Sequence, residues 1–331
     1  MKNNSIAVIG GGSWATAIIK MLQVSASSIS WWMRSSEQIA FIDENNHNPK
    51  YLSSVLIEPN NVFISNDLKT VVKNSELIII AVPSAFIHDT FTDFNASDFI
   101  NKTIVSAVKG IIPQLNLLPA LYFEQHFKVL NENIAIIAGP CHAEEVAMDK
   151  LSYLTFACQD QSKAKALATL FSSKFIKTCY SSDMLGIELS AVLKNVYAIS
   201  AGICHGLGYG DNFIAVLISN CIKEMEVFLS ELYPTNRTIN STQYLGDLLV
   251  TSYSLHSRNR RFGNLIGRGY SVKAAENEMN MVAEGYYASK CINQLKLAHS
   301  FESPIADAVY AILHNKQSPK SKIKQLSALI V

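Results

Sequence analysis

The sequence predicts an α/β domain with a doubly wound sheet, followed by an all-α domain. Short apolar runs alternate with helical patterns in the first half of the chain. After Asp183 the strand signals fade, and long helical patterns fill the remainder. We therefore expect residues 1–184 to form the first domain and residues 185–331 to form the second.

The predicted strands share a composition rich in Ile and Val. They are apolar throughout, which is typical of parallel strands covered on both faces. They are Ile6–Ile9, Ile29–Met33, Leu77–Val82, Thr103–Ala107, Ile134–Ala138, Tyr153–Ala157 and Phe175–Cys179. Helical patterns such as Ser13–Gln23, Asp67–Lys73 and Ser162–Phe171 lie between them. This alternation favours a doubly wound sheet.

The second half contains helical patterns of 10 to 20 residues. They are Met184–Ala201, Phe213–Leu232, Ser241–Tyr253, Ser271–Lys290 and Pro304–Leu313. No linker rich in Pro, Gly or Ser precedes them, so we expect the first helix to follow the last strand directly.

Composition narrows the functional class. Hydrophobic residues make up 49% of the 331 residues, which excludes a disordered chain. Lys and Arg (28) balance Asp and Glu (27), which argues against a generally basic nucleic-acid-binding protein. The six cysteines form no C-x-x-C pair and suit a reducing compartment. With no signal peptide and no apolar run near ~18 residues, we expect a soluble cytoplasmic protein without membrane or nucleic-acid partners.

A glycine-rich turn near the N-terminus predicts a dinucleotide-binding site. Gly10-Gly11-Gly12-Ser13-Trp14-Ala15 follows a predicted strand and opens a predicted helix, in the pattern G-x-G-x-x-A. Gly10 permits the tight turn, Gly12 lets the backbone approach a pyrophosphate, and Ala15 permits close helix–strand packing. The pyrophosphate would bind N–H groups at the helix N-terminus, where the dipole favours negative charge. We therefore expect a Rossmann-like first domain, with a tight turn of no binding function as the alternative.

The end of the second predicted strand bears on the choice between NAD and NADP. A carboxylate about 20 residues after the glycines selects a free ribose 2′-hydroxyl. Met33 is instead followed by Arg34, Ser35 and Ser36. Arg34 suits a 2′-phosphate, so we expect NADP to be accepted. A solvated surface arginine is the alternative.

Two isolated charges stand out in the helical half. From Leu189 to Cys204 the chain is apolar or small apart from Lys194 and Asn195. Burial lowers the pKa of a lysine and makes the amine usable as an acid or base, although a lysine reaching solvent from a helix edge has the same pattern. Asp247 is also one charge among apolar residues. It either pairs with a cation or a substrate hydroxyl, or it caps a helix.

A basic cluster predicts a bound phosphate ester. Ser257-Arg258-Asn259-Arg260-Arg261 combines arginine with Asn and Ser, which suits a phosphate held by a bidentate fork. A basic surface loop is the alternative, and the lack of interleaved aromatics argues against nucleic acid.

Two further candidate residues, Lys109 and Gly139, each follow a predicted strand. The carboxyl ends of parallel strands border the ligand crevice, so both residues could reach a ligand.

Segments along the whole chain match the pattern of a known family. In the first half they are Val8–Trp14, Ala81–Ser84, Val108–Gly110 and Ala138–Pro140. In the second half they are Leu193–Ala198, Gly206–Asn212, Gly246–Leu248, Ser257–Arg260 and Val282–Gly285. In order and spacing the chain resembles the bacterial type of NAD(P)-dependent glycerol-3-phosphate dehydrogenase.

The resemblance implies roles for the matching residues. It makes Lys194 the proton donor and acceptor, with Lys109 and Asp247 as further catalytic residues. The substrate-binding residues it implies are Lys109, Gly139, Cys141, Lys194, Asp247, Ser257, Arg258 and Asn259. The cofactor-binding residues it implies are Gly10, Gly12, Ser13, Trp14, Arg34, Tyr51, Lys109, Ala143, Arg258, Val282 and Glu284. Cys141 stands where the family usually has Ser or Thr, and a thiol is a weak donor, so we assign any substrate contact there to backbone.

The implied reaction is reversible hydride transfer between NADP or NAD and C2 of a small phosphorylated substrate. Dihydroxyacetone phosphate would be reduced to sn-glycerol 3-phosphate for phospholipid synthesis, without a metal. The resemblance also implies a homodimer. Two alternatives remain open from the residues: a reductase of another small hydroxy acid, whose carboxylate suits the same arginine fork, and a non-catalytic dinucleotide sensor.

Overall fold

The computed structural model describes residues 5–279 and 283–330. Within these ranges, eight strands form one sheet in the order β3-β2-β1-β4-β5-β6-β7-β8. The strands are β1 (Ile6–Ile9), β2 (Ile29–Trp32), β3 (Val62–Ser65), β4 (Leu77–Ile80), β5 (Thr103–Ser106), β6 (Ile134–Ala138), β7 (Ser152–Cys158) and β8 (Ile176–Ser181). Strands β1 to β6 are parallel, β7 pairs antiparallel with β6, and β8 is parallel to β7.

The register brings the carboxyl ends of the central strands together. Ile9 at the end of β1 lies opposite Trp32 of β2 and Ile80 of β4. The strand order reverses direction between β1 and β4, and ligands of open α/β sheets bind at such a switch point. Strands β1, β4 and β6 are buried along their whole length, as expected for a sheet covered on both faces.

Helices connect the strands of the first unit and build the second. With the sheet lie α1 (Ser13–Leu22), α2 (Ser36–Asn45), α3 (Leu68–Lys73), α4 (Ser84–Thr90), α5 (Pro119–Phe127), α6 (Ala143–Ala147) and α7 (Gln161–Phe171). After the sheet come α8 (Met184–Gly206), α9 (Asp211–Leu232), α10 (Asp247–Tyr253), α11 (Arg258–Gly267), α12 (Val272–Met279), α13 (Glu284–His299), α14 (Pro304–Leu313) and α15 (Pro319–Leu326). A π-helical turn over Thr242–Gly246 precedes α10.

The predicted architecture, a Rossmann-like sheet followed by helices, is confirmed, with two differences in the sheet. Strand β3 was not predicted, because it lies at the sheet edge and only Val62 of its four residues is buried. The prediction of parallel strands is wrong for β7 and β8, because β7 runs antiparallel to β6 and β8 is parallel to β7. An apolar run carries no information on strand direction, so the sequence could not distinguish the two.

The chain divides into two compact units. One contains the residues up to 108 together with 119–184, and the other contains 109–118 together with the residues from 185 on. The segment 109–118, which carries Lys109, thus groups with the helical unit rather than with the sheet. The domain boundary near residue 184 stays a prediction.

Close helix packing through glycines organises the second unit. A Cβ atom on Gly263 of α11 would lie 2.1 Å from the Ile199 carbonyl oxygen of α8, and one on Gly202 would lie 2.1 Å from the Arg260 oxygen. Only residues without a side chain permit such backbone contact. No helix is predicted over this segment from the sequence, and the structure places α11 (Arg258–Gly267) there.

Helix α8 is long and apolar enough to cross a membrane by length and composition, contrary to our expectation that no stretch approaches this limit. Its apolar window is wholly buried inside the protein, so the helix is the core of its unit.

The prediction of a single helix over Ser271–Lys290 is wrong. Val272–Met279 and Glu284–His299 are separate helices, and Ala283 before the second is extended.

Candidate functional site

The glycine turn lies where β1 ends and α1 begins. Gly10 has φ +137°, and a Cβ atom there would lie 2.7 Å from the carbonyl oxygen of Ala81, just beyond β4. Glycine is therefore required at this position. At Gly12, by contrast, a Cβ atom would meet no atom within 4 Å, so the backbone borders open space. That space beside a helix N-terminus fits the approach of a pyrophosphate.

The carbonyl groups of the turn are all held by the protein. The Trp31 indole donates to the Gly10 oxygen (2.6 Å), and the Gln38 amide donates to the Gly11 oxygen (2.9 Å). Thr16 donates to the Gly12 oxygen through its backbone N–H and its hydroxyl, each at 3.0 Å. With these oxygens engaged inward, the N–H groups of the turn suit an anion.

Two cofactor candidates beside the turn occupy different environments. The Trp14 indole donates to the Ala107 carbonyl oxygen (2.9 Å), which ties the start of α1 to the end of β5. Arg34 is exposed directly after β2. Neighbouring Ser35 caps α2 by accepting from the Gln38 N–H, so its hydroxyl is already engaged. Tyr51 lies in the loop after α2, where its N–H donates to Asn48.

The segment after β6 carries three further candidates. Gly139 has φ +113°, and a Cβ atom there would lie 2.8 Å from the Tyr153 carbonyl oxygen. Cys141 is buried among the core side chains of the sheet, and Ala143 begins the short helix α6. The burial of the Cys141 side chain agrees with assigning any contact there to backbone.

In the helical unit, residues far apart in sequence form a buried charged cluster. The Lys194 ammonium on α8 donates to Asp247 Oδ1 at the start of α10. Lys109 Nζ lies 3.7 Å from Asp247 Oδ2. The side chains of Lys194 and Asp247 are only 4% and 2% exposed, whereas that of Lys109 is 19% exposed. One buried carboxylate thus lies between two ammonium groups, and we call these three residues the lysine–aspartate cluster.

Burial dominates the electrostatics of Lys194. It lowers the pKa of Lys194 to about 7, with a further lowering by the Lys109 charge. Asp247 opposes this shift by favouring the charged ammonium. A lysine that titrates near neutrality can both donate and accept a proton under physiological conditions.

Hydrogen bonds from side chains to backbone oxygens hold the segments that carry the cluster. The Asn195 amide donates to the Lys109 carbonyl oxygen (2.7 Å) and so holds the segment that carries Lys109 against α8. The Thr251 hydroxyl donates to the Asp247 carbonyl oxygen (2.7 Å) within α10. The burial and the ion pairs decide between the alternatives left open for the two charges. Lys194 does not reach solvent from a helix edge, and Asp247 pairs with two cations.

The basic cluster begins a helix rather than forming a loop. Ser257 caps α11 by accepting from the Arg260 N–H, and Arg258 and Asn259 lie in its first turn. Asn259 Oδ1 accepts from the Gly285 N–H (2.9 Å), next to Glu284 at the start of α13. Gly285 also lies against α8, because a Cβ atom on it would be 2.6 Å from the Asn195 carbonyl oxygen. A helix N-terminus with an arginine in its first turn suits an anion.

Comparison with known proteins decides the family. The model of the NAD-dependent glycerol-3-phosphate dehydrogenase N-terminus matches residues 5–164, and that of the C-terminus matches residues 183–324. A protein of Oceanobacillus iheyensis named glycerol-3-phosphate dehydrogenase [NAD(P)+] is 33% identical over 97% of this chain and 93% of its own.

The chain belongs to the NAD-dependent glycerol-3-phosphate dehydrogenase family. A crystal structure of glycerol-3-phosphate dehydrogenase from Coxiella burnetii, 28% identical, has a TM-score of 0.91 and covers 98% of both chains. A D-mandelate dehydrogenase structure at 16% identity and TM-score 0.59 shows only a shared fold.

Within this dehydrogenase, the predicted residues fall into two groups. Those of the sheet unit lie at or just beyond the carboxyl ends of parallel strands, or in the loop that carries Tyr51. Those of the helical unit lie in the lysine–aspartate cluster and at the starts of α11 and α13. Val282 lies outside the described residues. Among the described residues, no group of three or more His, Cys, Asp or Glu side chains is placed to hold a metal ion.

Neutral polar residues that no sequence motif predicts also position the dehydrogenase's candidate site. Asn195, which the sequence gives no role, binds the Lys109 backbone. Gln38 and Asn48, for which the sequence carries no signal, both contact the Gly11 carbonyl group. Such amides lie in no motif, and only their contacts reveal them.

Proposed function

We propose that this chain interconverts dihydroxyacetone phosphate and sn-glycerol 3-phosphate with NADP(H) or NAD(H), and so supplies glycerol 3-phosphate for phospholipid synthesis. Membership of the family and the names of its relatives support this reaction. The observation that carries it is the burial of Lys194 against Asp247, with a pKa lowered to about 7. A family dehydrogenase needs a proton donor of this kind beside its hydride transfer.

The residues of the sheet unit suit the cofactor. When bound, the nicotinamide supplies or accepts the hydride at C2 of the substrate. The N–H groups of Gly11 and Gly12 bind the pyrophosphate, favoured by the dipole of α1. Arg34 contacts a 2′-phosphate when NADP is present and is solvated when NAD is present, so both cofactors are accepted.

Lys194 moves the proton. In the reducing direction its ammonium donates a proton to the carbonyl oxygen at C2 as that carbon gains the hydride. The neutral amine left behind is tolerated because burial disfavours the charged form. Asp247 orients Lys194 and Lys109 towards one locus, and Lys109 adds positive charge where the oxygen becomes negative. In the reverse direction, neutral Lys194 accepts the hydroxyl proton.

The start of α11 holds the phosphate. Arg258 offers a bidentate fork, and Asn259 donates through Nδ2 while its Oδ1 is engaged by Gly285. Ser257 shapes the helix start through its cap to Arg260. Binding energy from the phosphate, which does not react, orients C2 and its carbonyl group for the transfer.

The test is NADPH oxidation by the purified full-length chain with dihydroxyacetone phosphate. Unphosphorylated dihydroxyacetone, a 2-keto acid and buffer serve as parallel arms. We expect turnover with dihydroxyacetone phosphate to exceed that with dihydroxyacetone by at least ~10²-fold, because the phosphate contacts are charge-assisted. Preferential turnover of the keto acid contradicts the proposed substrate. NADPH binding without any turnover indicates a sensor instead.

Two further parts of the proposal concern the setting of the enzyme. The six cysteines, all of which lie within the described residues, form no disulfide, which supports a cytoplasmic location. The homodimer implied by the resemblance stays a prediction, which light scattering of the purified chain tests.

A further inference from the structure

A buried amide network lies behind the glycine turn. It contains two neutral polar residues that are buried: Asn48 is 0% exposed and Gln38 is 7% exposed. The Gln38 amide donates to the Gly11 oxygen (2.9 Å) and to Asn48 Oδ1 (3.0 Å). The Asn48 amide donates to the Gly11 oxygen (3.2 Å) and to the Thr16 hydroxyl (2.9 Å). The Thr16 hydroxyl in turn donates to the Gly12 oxygen (3.0 Å).

Peptide geometry turns these contacts into an orientation of the N–H groups. In a planar trans peptide the C=O and the following N–H point in opposite directions. Holding the Gly11 oxygen towards Gln38 and Asn48 therefore points the Gly12 N–H away from them. In the same way, the bond from Trp31 to the Gly10 oxygen points the Gly11 N–H outward. Among the described residues, no acceptor is bound to either N–H group.

Asn48 also reaches a second part of the candidate cofactor site. Its Oδ1 accepts from the backbone N–H groups of Lys50 (3.1 Å) and Tyr51 (3.2 Å). One amide thus joins the Gly11 peptide to the loop that carries Tyr51. Replacing this buried residue is costly, because it leaves several buried polar groups without a hydrogen-bond partner.

We propose that Asn48 and Gln38 are positioning residues for the cofactor: they fix the Gly11–Gly12 peptide so that its N–H faces the pyrophosphate. They touch neither cofactor nor substrate and act through the Gly11 carbonyl group. This inference rests on the proposed function, since it presupposes that a dinucleotide binds at the turn. It requires that the affinities for NADH and NADPH depend equally on the network, because both carry the same pyrophosphate.

Two variants remove the donation to Gly11 in different ways. Asn48→Asp keeps the acceptor for Gln38, Lys50 and Tyr51 but cannot donate to the Gly11 oxygen. Gln38→Met keeps the volume and removes both donated bonds. Ser75→Ala is the matched control, because Ser75 is 1% exposed and loses one buried bond to the Val71 oxygen, away from the turn.

The experiment measures the Kd of NADH and of NADPH by the fluorescence of the bound nicotinamide. We expect both Kd values to rise by a common factor of about tenfold in Asn48→Asp and Gln38→Met, and to stay unchanged in Ser75→Ala. At saturating NADPH, kcat and the KM for dihydroxyacetone phosphate should be those of the wild type. If Asn48→Asp does not fold, Gln38→Met decides.

Each contrary result has a distinct meaning. Variants that lose thermal stability but keep the wild-type Kd values overturn the positioning role alone. A wild-type chain that binds neither cofactor overturns this inference and the proposed function together. A third outcome is that the wild type binds NADPH and the variants bind it more weakly, but the wild type does not reduce dihydroxyacetone phosphate. That outcome overturns only the proposed function.

Discussion

The glycine turn and the lysine–aspartate cluster are held by opposite kinds of interaction. At the turn, neutral groups from Trp31, Gln38 and Thr16 bind backbone oxygens, and the ligand space is defined by absent side chains. In the cluster, the groups that hold the site are themselves charged and buried. The turn should therefore respond to added volume, and the cluster to changes in charge and pH.

The two units also differ in the surroundings of their glycines and in the burial of a further charged residue. Gly12 borders open space, whereas Gly263 is in direct backbone contact with α8. The helical unit also buries Glu224, which accepts from the N–H groups of Ile305 and Ala306 at the start of α14. We therefore expect substitutions at the turn to change cofactor binding, those in the lysine–aspartate cluster to change catalysis, and those at Gly263 or Glu224 to change stability.

The largest effect is expected at Lys194. Lys194→Met keeps the apolar stem and removes the proton, so kcat should fall by ~10²–10⁴-fold. Asp247 remains paired with Lys109, so we expect the fold to persist. Steady-state kinetics with a parallel NADPH titration checks this, and the Kd of NADPH should not change. Near wild-type turnover would make Lys194 a bystander.

Paired glycine substitutions sharpen the comparison of the two units. Gly263→Ala places a Cβ atom 2.1 Å from the Ile199 oxygen, so the helices must separate at a cost of about 3 kcal/mol. Gly12→Ala meets no atom and should change the free energy of unfolding by less than ~0.5 kcal/mol, yet weaken cofactor binding. Urea unfolding and NADPH titration measure both. Equal destabilisation by the two variants contradicts the comparison.

Glu224 should make the stability of the helical unit depend on pH. Burial raises its pKa to about 7 from an ordinary value of 4.5, so the folded state retains the proton that the unfolded state has released. The resulting stabilisation is complete below pH 4.5 and is lost as the pH rises through about 7, by up to about 3 kcal/mol.

Glu224→Gln should flatten that dependence, as measured by urea unfolding on both sides of the window. The control is Glu231→Gln on the exposed face of the same helix, which should keep the wild-type slope. A slope that survives in Glu224→Gln assigns the pH dependence to other groups.

The smallest effect is expected at Arg34, because its side chain is exposed. Arg34→Ala should raise the Kd of NADPH about tenfold and leave that of NADH nearly unchanged, since only NADPH carries the 2′-phosphate. Equal losses for both cofactors would show that Arg34 does not contact this phosphate.

The sequence predicts the features of the fold that are determined by residues close together in the chain. The turn after β1 and the helix Pro304–Leu313 were predicted because glycine spacing and helical period lie within a short window. Helix α11 was missed because its glycines serve contact with α8, which the local sequence does not reveal.

Tertiary contacts decided the remaining features. The pairing of Lys109, Lys194 and Asp247 joins positions up to 138 residues apart, as the residue numbers show. Lys194 and Asp247 are found as isolated charges and Lys109 by its place after a strand, but the two ion pairs among them follow only from the fold. Asn48 gave no signal, because a neutral amide in a loop has no periodic partner.

The central claim is that Lys194 in the lysine–aspartate cluster carries the proton. Its most direct test is the pH dependence of kcat/KM in both directions, for the wild type and for Asp247→Asn. With a pKa of about 7, Lys194 is protonated below that pH, so reduction of dihydroxyacetone phosphate should decline above it while oxidation of glycerol 3-phosphate rises. Asp247 favours the charged ammonium, so Asp247→Asn should move both limbs to lower pH. The substrate phosphate, which titrates near pH ~6, is unaffected by that substitution. Limbs that stay at the same pH in Asp247→Asn, or that run in the same direction for both reactions, would contradict the assignment of the proton to Lys194.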